Sequence, residues 1–271
     1  MDGGYYPRKL MDTIIVIPAR YGSSRYPGKP LAPIMGRTLL ERVWRIGKAV
    51  HGVSRVVVAT DDTRIVEHVR SFGGEAVMTS ESCSNGSERS YEAVRNLGSK
   101  ADVVINLQGD AVLMPPWVIG SLVEEMSRDK GVQIATPAVR LSAEQYKSMS
   151  AMKGAGIVSG TTVTFAKSGD ALYFSKGIIP FVRTAPTSGE PPIFQHIGVY
   201  AYRADALKRY IDLPAGMFEQ VEQLEQLRAI ENGMPIRVVQ VSLKGRTMWS
   251  VDNPQDVARV EEIIRAEGEL V

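Results

Sequence analysis

The chain is poor in the residues that build cross-links and soft-metal sites. Cys83 is the only cysteine among 271 residues, so an internal disulfide is excluded, and a reducing compartment, the cytoplasm, is expected. Histidines number three, at positions 51, 68 and 196, and no Cys/His cluster is spaced for zinc. No apolar run approaches the roughly 20 residues of a membrane span. Residues 1–12, with Gly3-Gly4, two tyrosines and Pro7, lack the apolar middle of a signal peptide and read as a short extension. An excess of charge is missing too. Lys plus Arg is 32 against 30 for Asp plus Glu, a net +2, which provides no overall pull toward nucleic acid or membrane. Any affinity for an anion must therefore come from local clustering. What is present is an ordinary globular mixture, 44% hydrophobic and 23% charged, of a size for one large domain or two small ones.

The hydrophobic pattern alternates between strands and helices. Residues 13–17 are a short β-branched run ending at Pro18, the pattern of a parallel strand buried on both faces. A polar, glycine-rich loop follows over residues 19–30. Residues 38–50 carry an apolar helical face, 55–60 form a second buried strand, and Asp62 is placed to cap a helix that Gly73-Gly74 stops. A strand at 75–78, a helix at 85–97 and a strand at 103–107 continue the alternation, which predicts a mostly parallel sheet with helices on both faces. The second half differs. Strands are expected at 133–139, 196–202 and 236–241, and a hairpin at 161–165 and 171–174. A loop is expected at 184–192 and helices at 219–232 and 253–267, while residues 149–159 show no clear periodicity.

The loop after the first strand is the strongest signal. Arg20, Ser23, Ser24, Arg25, Gly28 and Lys29 fall within ten residues at the carboxyl end of a parallel strand, where open α/β sheets bind ligands. Glycine lets backbone N–H groups approach a phosphate, and Arg and Lys offset its charge. The loop is neither a Walker loop nor a dinucleotide fingerprint, since Gly-Lys-Ser/Thr and Gly-x-Gly-x-x-Gly are both absent from it.

Val16-Ile-Pro-Ala-Arg-Tyr-Gly-Ser-Ser-Arg-Tyr-Pro-Gly-Lys-Pro-Leu31 resembles the signature of the CMP-Kdo synthetases (3-deoxy-manno-octulosonate cytidylyltransferases) and, more broadly, of sugar nucleotidyltransferases. Ala59-Thr-Asp-Asp62, Val77-Met-Thr79, Asn85-Gly-Ser-Glu-Arg89 and Asn106-Leu-Gln-Gly-Asp110 follow in family order. So do Tyr173-Phe-Ser-Lys176, His196-Ile-Gly-Val-Tyr200, Glu222-Gln-Leu-Glu-Gln-Leu-Arg228 and Val251-Asp-Asn-Pro254. The resemblance implies a three-layer, Rossmann-like α/β fold with a mostly parallel sheet and a smaller β insertion. It implies one domain over residues 13–265, with 13–135 mainly for CTP and 136–265 mainly for the acceptor and dimerisation. The implied reaction is attack of the anomeric hydroxyl of an acidic 2-keto-3-deoxy sugar on the α-phosphate of CTP, with Mg²⁺ as cofactor and a homodimer as the assembly.

The same resemblance assigns roles by position. Arg20, Arg25, Lys29 and Asp110 are the catalytic candidates, Lys29 for pyrophosphate and Arg25 nearer the sugar carboxylate. Pro18, Ala19, Arg20, Ser23, Lys29, Met78, Thr79, Ser87 and Arg89 are nucleotide-binding candidates, with backbone groups after the third strand reading cytosine. Gln108, His196, Tyr200, Glu222, Glu225 and Gln226 are acceptor candidates, the last three spaced for one polar stripe of a helix. Asp110 and Asp252 are the metal candidates. By residue type alone, Asp110 suits a turn, Asp252 a helix N-cap, Arg89 a surface pair with Glu88 and His196 a satisfied core position. Other classes stay open on the residues: a uridylyl- or thymidylyltransferase sharing the first loop, or a non-catalytic nucleotide-binding protein.

Three departures fall on the acceptor side. Ala111 stands where the family has glutamate after Gln-Gly-Asp, Thr162 where a Val-Lys-Val strand has lysine, and Lys176 where Tyr-Phe-Ser is followed by arginine. An Asn-Pro-Asn segment before that strand is also missing. Arg and Lys grip a carboxylate differently, so the expected acceptor is Kdo or a related ulosonic acid.

Overall fold

The computed structural model describes residues 11–22, 25–183 and 190–271. Strand β1 (Thr13–Pro18) leads through a one-turn 3-10 segment (Lys29–Leu31) into a small hairpin, β2 (Pro33–Ile34) and β3 (Arg37–Thr38). Then follow α1 (Leu39–Lys48), β4 (Arg55–Thr60), α2 (Thr63–Ser71), β5 (Glu75–Met78), α3 (Gly86–Asn96), β6 (Val103–Leu107) and α4 (Pro116–Arg128). Short polar side chains start these helices as their chemistry dictates. Thr38, Asp62 and Asn85 accept hydrogen bonds from the backbone amides of Glu41, Arg64 and Glu88. The second half runs β7 (Ile134–Arg140), α5 (Ala143–Gly154), β8 (Thr161–Phe165), β9 (Ala171–Ser175), β10 (Phe194–His196) and β11 (Val199–Arg203). It ends with α6 (Ala204–Ile211), α7 (Met217–Glu222), α8 (Leu227–Glu231), β12 (Ile236–Gln240) and α9 (Pro254–Glu267).

Among the described residues, ten strands form one sheet in the order β5-β4-β1-β6-β11-β7-β10-β8-β9, with β12 pairing with β7. The block β5-β4-β1-β6 is wholly parallel. From β11 to β9 each neighbour on that path is antiparallel, and β12 lies parallel to β7. β1 sits between β4 and β6, which pair both its edges, and helices cover both its faces, which is why it reads as a continuous apolar run. Its side chains divide with period two. Ile15 and Ile17 pack with α1, α2, α4 and α9 on one face, and Ile14 and Val16 pack with α3, α6 and α8 on the other. Among the described residues, no helix is long and apolar enough to cross a membrane.

Three expectations change. Residues 143–154 are helical although their pattern is weak. A capping box, Ser142 with Gln145, starts the helix, and Met149 alone among its residues is buried. The strand expected over 196–202 is broken at Ile197-Gly198 into β10 and β11. The helix expected over 219–232 is two short helices, because Gln223 adopts φ 52° and closes α7. The Glu231 carboxylate accepts from the amides of Phe218 and Glu219, folding α8 back onto the start of α7. A Cβ at Gly216 would push that carboxylate off these amides. Part of the loop expected at 184–192 lies outside the described residues, as do residues 1–10 of the expected extension.

Candidate active site

The carboxyl ends of β1 and β6 open onto a cleft of about 230 Å³. Pro18, Ala19, Arg20, Arg25 and Lys29 line it from the first loop, Arg89 from α3, and Gln108 and Asp110 from beyond β6. A Cβ at Gly109 would lie 2.6 Å from the Pro18 carbonyl oxygen, so glycine is what lets these two strand ends close on each other. The sequence argument missed Cys83, Ser84 and Asn85, which also line the cleft just before α3. Their position after a β-strand and before a helix was the available signal. Ser23 lies outside the described residues.

Cations and carboxylates meet in pairs. Lys29 Nζ is 2.9 Å from Asp110 Oδ2 and donates to the Val251 carbonyl at 2.8 Å. Arg25 Nη2 lies 3.0 Å from Asp252 Oδ1. The Val251 amide donates to the Asp110 carbonyl at 3.4 Å, so the segment before α9 is laid against the loop after β6. The two metal candidates thus come from backbone segments in contact. Asp252 is not the capping group of α9, because Asp256 accepts from the amides of Asp252 and Asn253, both at 2.8 Å. Among the described residues, no three His, Cys, Asp or Glu side chains gather into a ready-made metal cage. A hard cation that keeps waters and substrate phosphates needs only one or two protein carboxylates, and this donor set fits it.

On the nucleobase side, Arg89 is buried rather than paired with Glu88 on a surface. It donates to Thr79 Oγ1 at 2.6 Å and to Asp61 Oδ2 at 2.7 Å. Met78 is exposed, and its carbonyl accepts from Asn96 Nδ2 at 3.0 Å. The Thr79 amide donates to the Thr60 carbonyl at 2.8 Å. Two backbone groups expected to read the base are therefore already engaged. Ser87 is fully buried, with its Oγ in contact with Tyr202, Asn106 and Glu225.

The acceptor candidates do not share one helical stripe. Glu222 ends α7 and accepts from Ser175 Oγ at 2.8 Å and from the Lys176 amide at 2.7 Å. Gln226 is buried at the start of α8. Glu225 lies between the two helices, where Ser87 Oγ donates to it at 3.3 Å. The break at Gln223 separates them. Tyr200 is buried and His196 half-buried in an aromatic row with Phe174, Tyr202 and Tyr210. His196 Nε2 meets Thr136 Oγ1 at 2.8 Å, and desolvation, then the charge of Lys176, pushes its pKa down to about 3, so it is a neutral, hydrogen-bonded imidazole. Gln108 alone of the acceptor candidates lines the cleft.

Burial raises the Glu225 pKa to about 7, against the partly opposing bond from Ser87 and charge of Arg228. Between the unfolded value and pH 7 the folded state binds the extra proton, so stability falls as pH rises through that window. The penalty is absent below the unfolded pKa and complete above the folded one. Glu225→Gln removes it. In urea unfolding, the variant should gain about 2–3 kcal/mol on the wild type between pH 4.5 and 8. A difference independent of pH would contradict this.

The chain belongs to the cytidylyltransferase family: the model of that family, described as Cytidylyltransferase, matches residues 14–236. Within it, the chain is 58% identical over 261 residues to the 3-deoxy-manno-octulosonate cytidylyltransferase of Maricaulis maris, covering 96% of this chain and 100% of that one. It is 40% identical to the enzyme of the same name from Chlamydia pneumoniae, over 92% of both chains. The solved structure of a CMP:2-keto-3-deoxy-manno-octonic acid synthetase complexed with CTP is 37% identical. It matches with a TM-score of 0.83 over 94% of this chain and 99% of the other.

Proposed function

We propose that this protein transfers the cytidylyl group of CTP to the anomeric hydroxyl of a 3-deoxy-2-ulosonic acid of the Kdo class. The anomeric oxygen bonds to the α-phosphorus as the bond to the bridging oxygen of pyrophosphate breaks. The observation that carries the reading is the convergence of Arg20, Arg25 and Lys29 with Asp110 and Asp252 at the strand ends. No covalent enzyme intermediate is needed. The residues hold two anions in line and offset the charge that builds on the phosphate oxygens. Lys29, anchored by Asp110 and the Val251 carbonyl, is the cation we assign to the leaving pyrophosphate. Asp110 and Asp252 would hold Mg²⁺, which supplies Lewis-acid stabilisation of the phosphates.

The relatives named for 3-deoxy-manno-octulosonate support the acceptor class, and the relative solved with CTP supports the nucleotide. A cytoplasmic homodimer without nucleic-acid or membrane partners completes the reading. Exposed Ile157, Val158, Leu172 and Phe181 in the second half suit self-association. The test is pyrophosphate release by the purified chain with CTP, UTP or dTTP and a panel of ulosonic acids. CTP with Kdo should turn over. EDTA should abolish turnover and Mg²⁺ restore it. Preference for UTP or dTTP, or no release with any acid, would overturn the reading.

A further inference from the structure

The peptide unit between Val251 and Asp252 is held from both sides. Its carbonyl accepts from Lys29 Nζ at 2.8 Å, and its N–H donates to Asp256 Oδ2 at 2.8 Å. A peptide is planar, and its C=O and N–H point in opposite directions, so fixing the N–H fixes where the carbonyl aims. Lys29 lines the cleft, and Asp256 meets the far side of the peptide that anchors it.

No regular structure holds that plane. Residues 241–253, between β12 and α9, belong to no helix or strand, so their backbone groups find partners one by one. Val251 is fully buried, which fixes its side chain and leaves the rotation of the following peptide to its hydrogen bonds. Asp256, in the first turn of α9, gathers three donors. Oδ2 accepts from the amides of Asp252 and Asn253, and Oδ1 accepts from Trp249 Nε1 at 3.1 Å. A helix cap needs only the Asn253 amide. The other two bonds lie outside that motif, and the indole, by taking one oxygen, keeps the other turned to the amides.

We propose that Asp256 is a positioning residue for the cytidylyl transfer: it orients the Val251–Asp252 peptide and, through it, Lys29, while Trp249 orients the carboxylate. This rests on the reading above in which Lys29 serves the leaving pyrophosphate. The ammonium has three donors. Two are spent on Asp110 and the Val251 carbonyl, which aims the third. With the carbonyl turned away, Asp110 alone holds Lys29 and that aim is lost. A misplacement of about 1 Å can cost ~100-fold in rate.

The test measures kcat, the KM for CTP and calorimetric binding of inorganic pyrophosphate in Asp256→Ala, Asp256→Asn and Trp249→Phe, with Asp256→Ala repeated in a Lys29→Met background. Asp256→Ala should lower kcat about 10- to 100-fold and leave the KM for CTP within about threefold, since Arg20, Arg25 and Arg89 stay in the cleft. Asp256→Asn keeps one acceptor for the amides and should lose less. Trp249→Phe keeps both amide bonds and should lose least. Pyrophosphate binding should weaken about tenfold in Asp256→Ala but by less than about twofold when Lys29 is already methionine, because the group being positioned is gone. The melting temperature should fall by about 2–4 °C, as for a lost helix cap. Equal weakening in both backgrounds would make Asp256 a helix cap only and overturn the proposal, as would a wild-type kcat in Asp256→Ala. If wild type releases no pyrophosphate with any ulosonic acid, the cytidylyltransferase reading fails and this one with it. If wild type turns over and Lys29→Met matches it, the positioning role alone fails.

Discussion

Pyrophosphate release from CTP should fall by about three orders of magnitude in Asp110→Asn. Two effects add at this one carboxylate. It is the acidic partner of Lys29 at 2.9 Å, and it is one of the two carboxylates proposed above to hold a hard divalent cation. Loss of a single electrostatic group aimed at developing charge costs about 10²- to 10³-fold in rate, and weakened metal binding adds to that. The amide keeps the volume, and the pair is partly exposed, so the stability cost should stay near the 0–1 kcal/mol of surface pairs. Calorimetric CTP binding should remain within about tenfold, since Arg20, Arg25 and Lys29 all persist in the cleft. A kcat within tenfold of wild type would remove Asp110 from the machinery. A collapsed melting temperature would make it a structural residue.

Arg89→Met should be the most destabilising change at the site. The guanidinium is 4% exposed and its partner Asp61 15%, so the substitution strands a carboxylate in a nearly closed space. Breaking a buried pair on one side costs about 3–5 kcal/mol, which for a chain of this size is a fall in Tm of about 10 °C. The KM for CTP should rise as well, because Arg89 lines the cleft and holds Thr79 by its hydroxyl. Adding Asp61→Asn should recover part of the lost stability by removing the stranded charge. A Tm drop below about 3 °C, or no recovery in the double variant, would contradict the account.

The parallel half of the fold was legible because its signals are local. β1, β4 and β6 are apolar runs buried on both faces, and Thr38, Asp62 and Asn85 stand at the starts of the helices they cap. The basic loop was legible for the same reason, its charges being consecutive. The second half depends on contacts that no short window contains. The spacing of Val221, Leu224, Leu227 and Ile230 suits one helix, yet Val221 is 76% exposed and the chain breaks at Gln223. Arg228 pairs with Glu219, and Glu231 takes the amides at the start of α7. These closures outweigh the propensity of a continuous helix. Ser87 was placed at the nucleotide by its motif, but its hydroxyl belongs to the buried contact with Asn106, Tyr202 and Glu225.

The bond from Lys29 to the Val251 carbonyl joins groups 222 residues apart. During synthesis, Lys29 leaves the ribosome long before this partner exists. At roughly 5–20 residues per second the interval is about 10–45 s. Through that time the parallel strands can pair, but Lys29 lacks its backbone anchor and the core beneath it lacks Val251 and α9. Docking of the last segment therefore completes the hydrophobic core and the setting of Lys29 in one step, at the very end of synthesis.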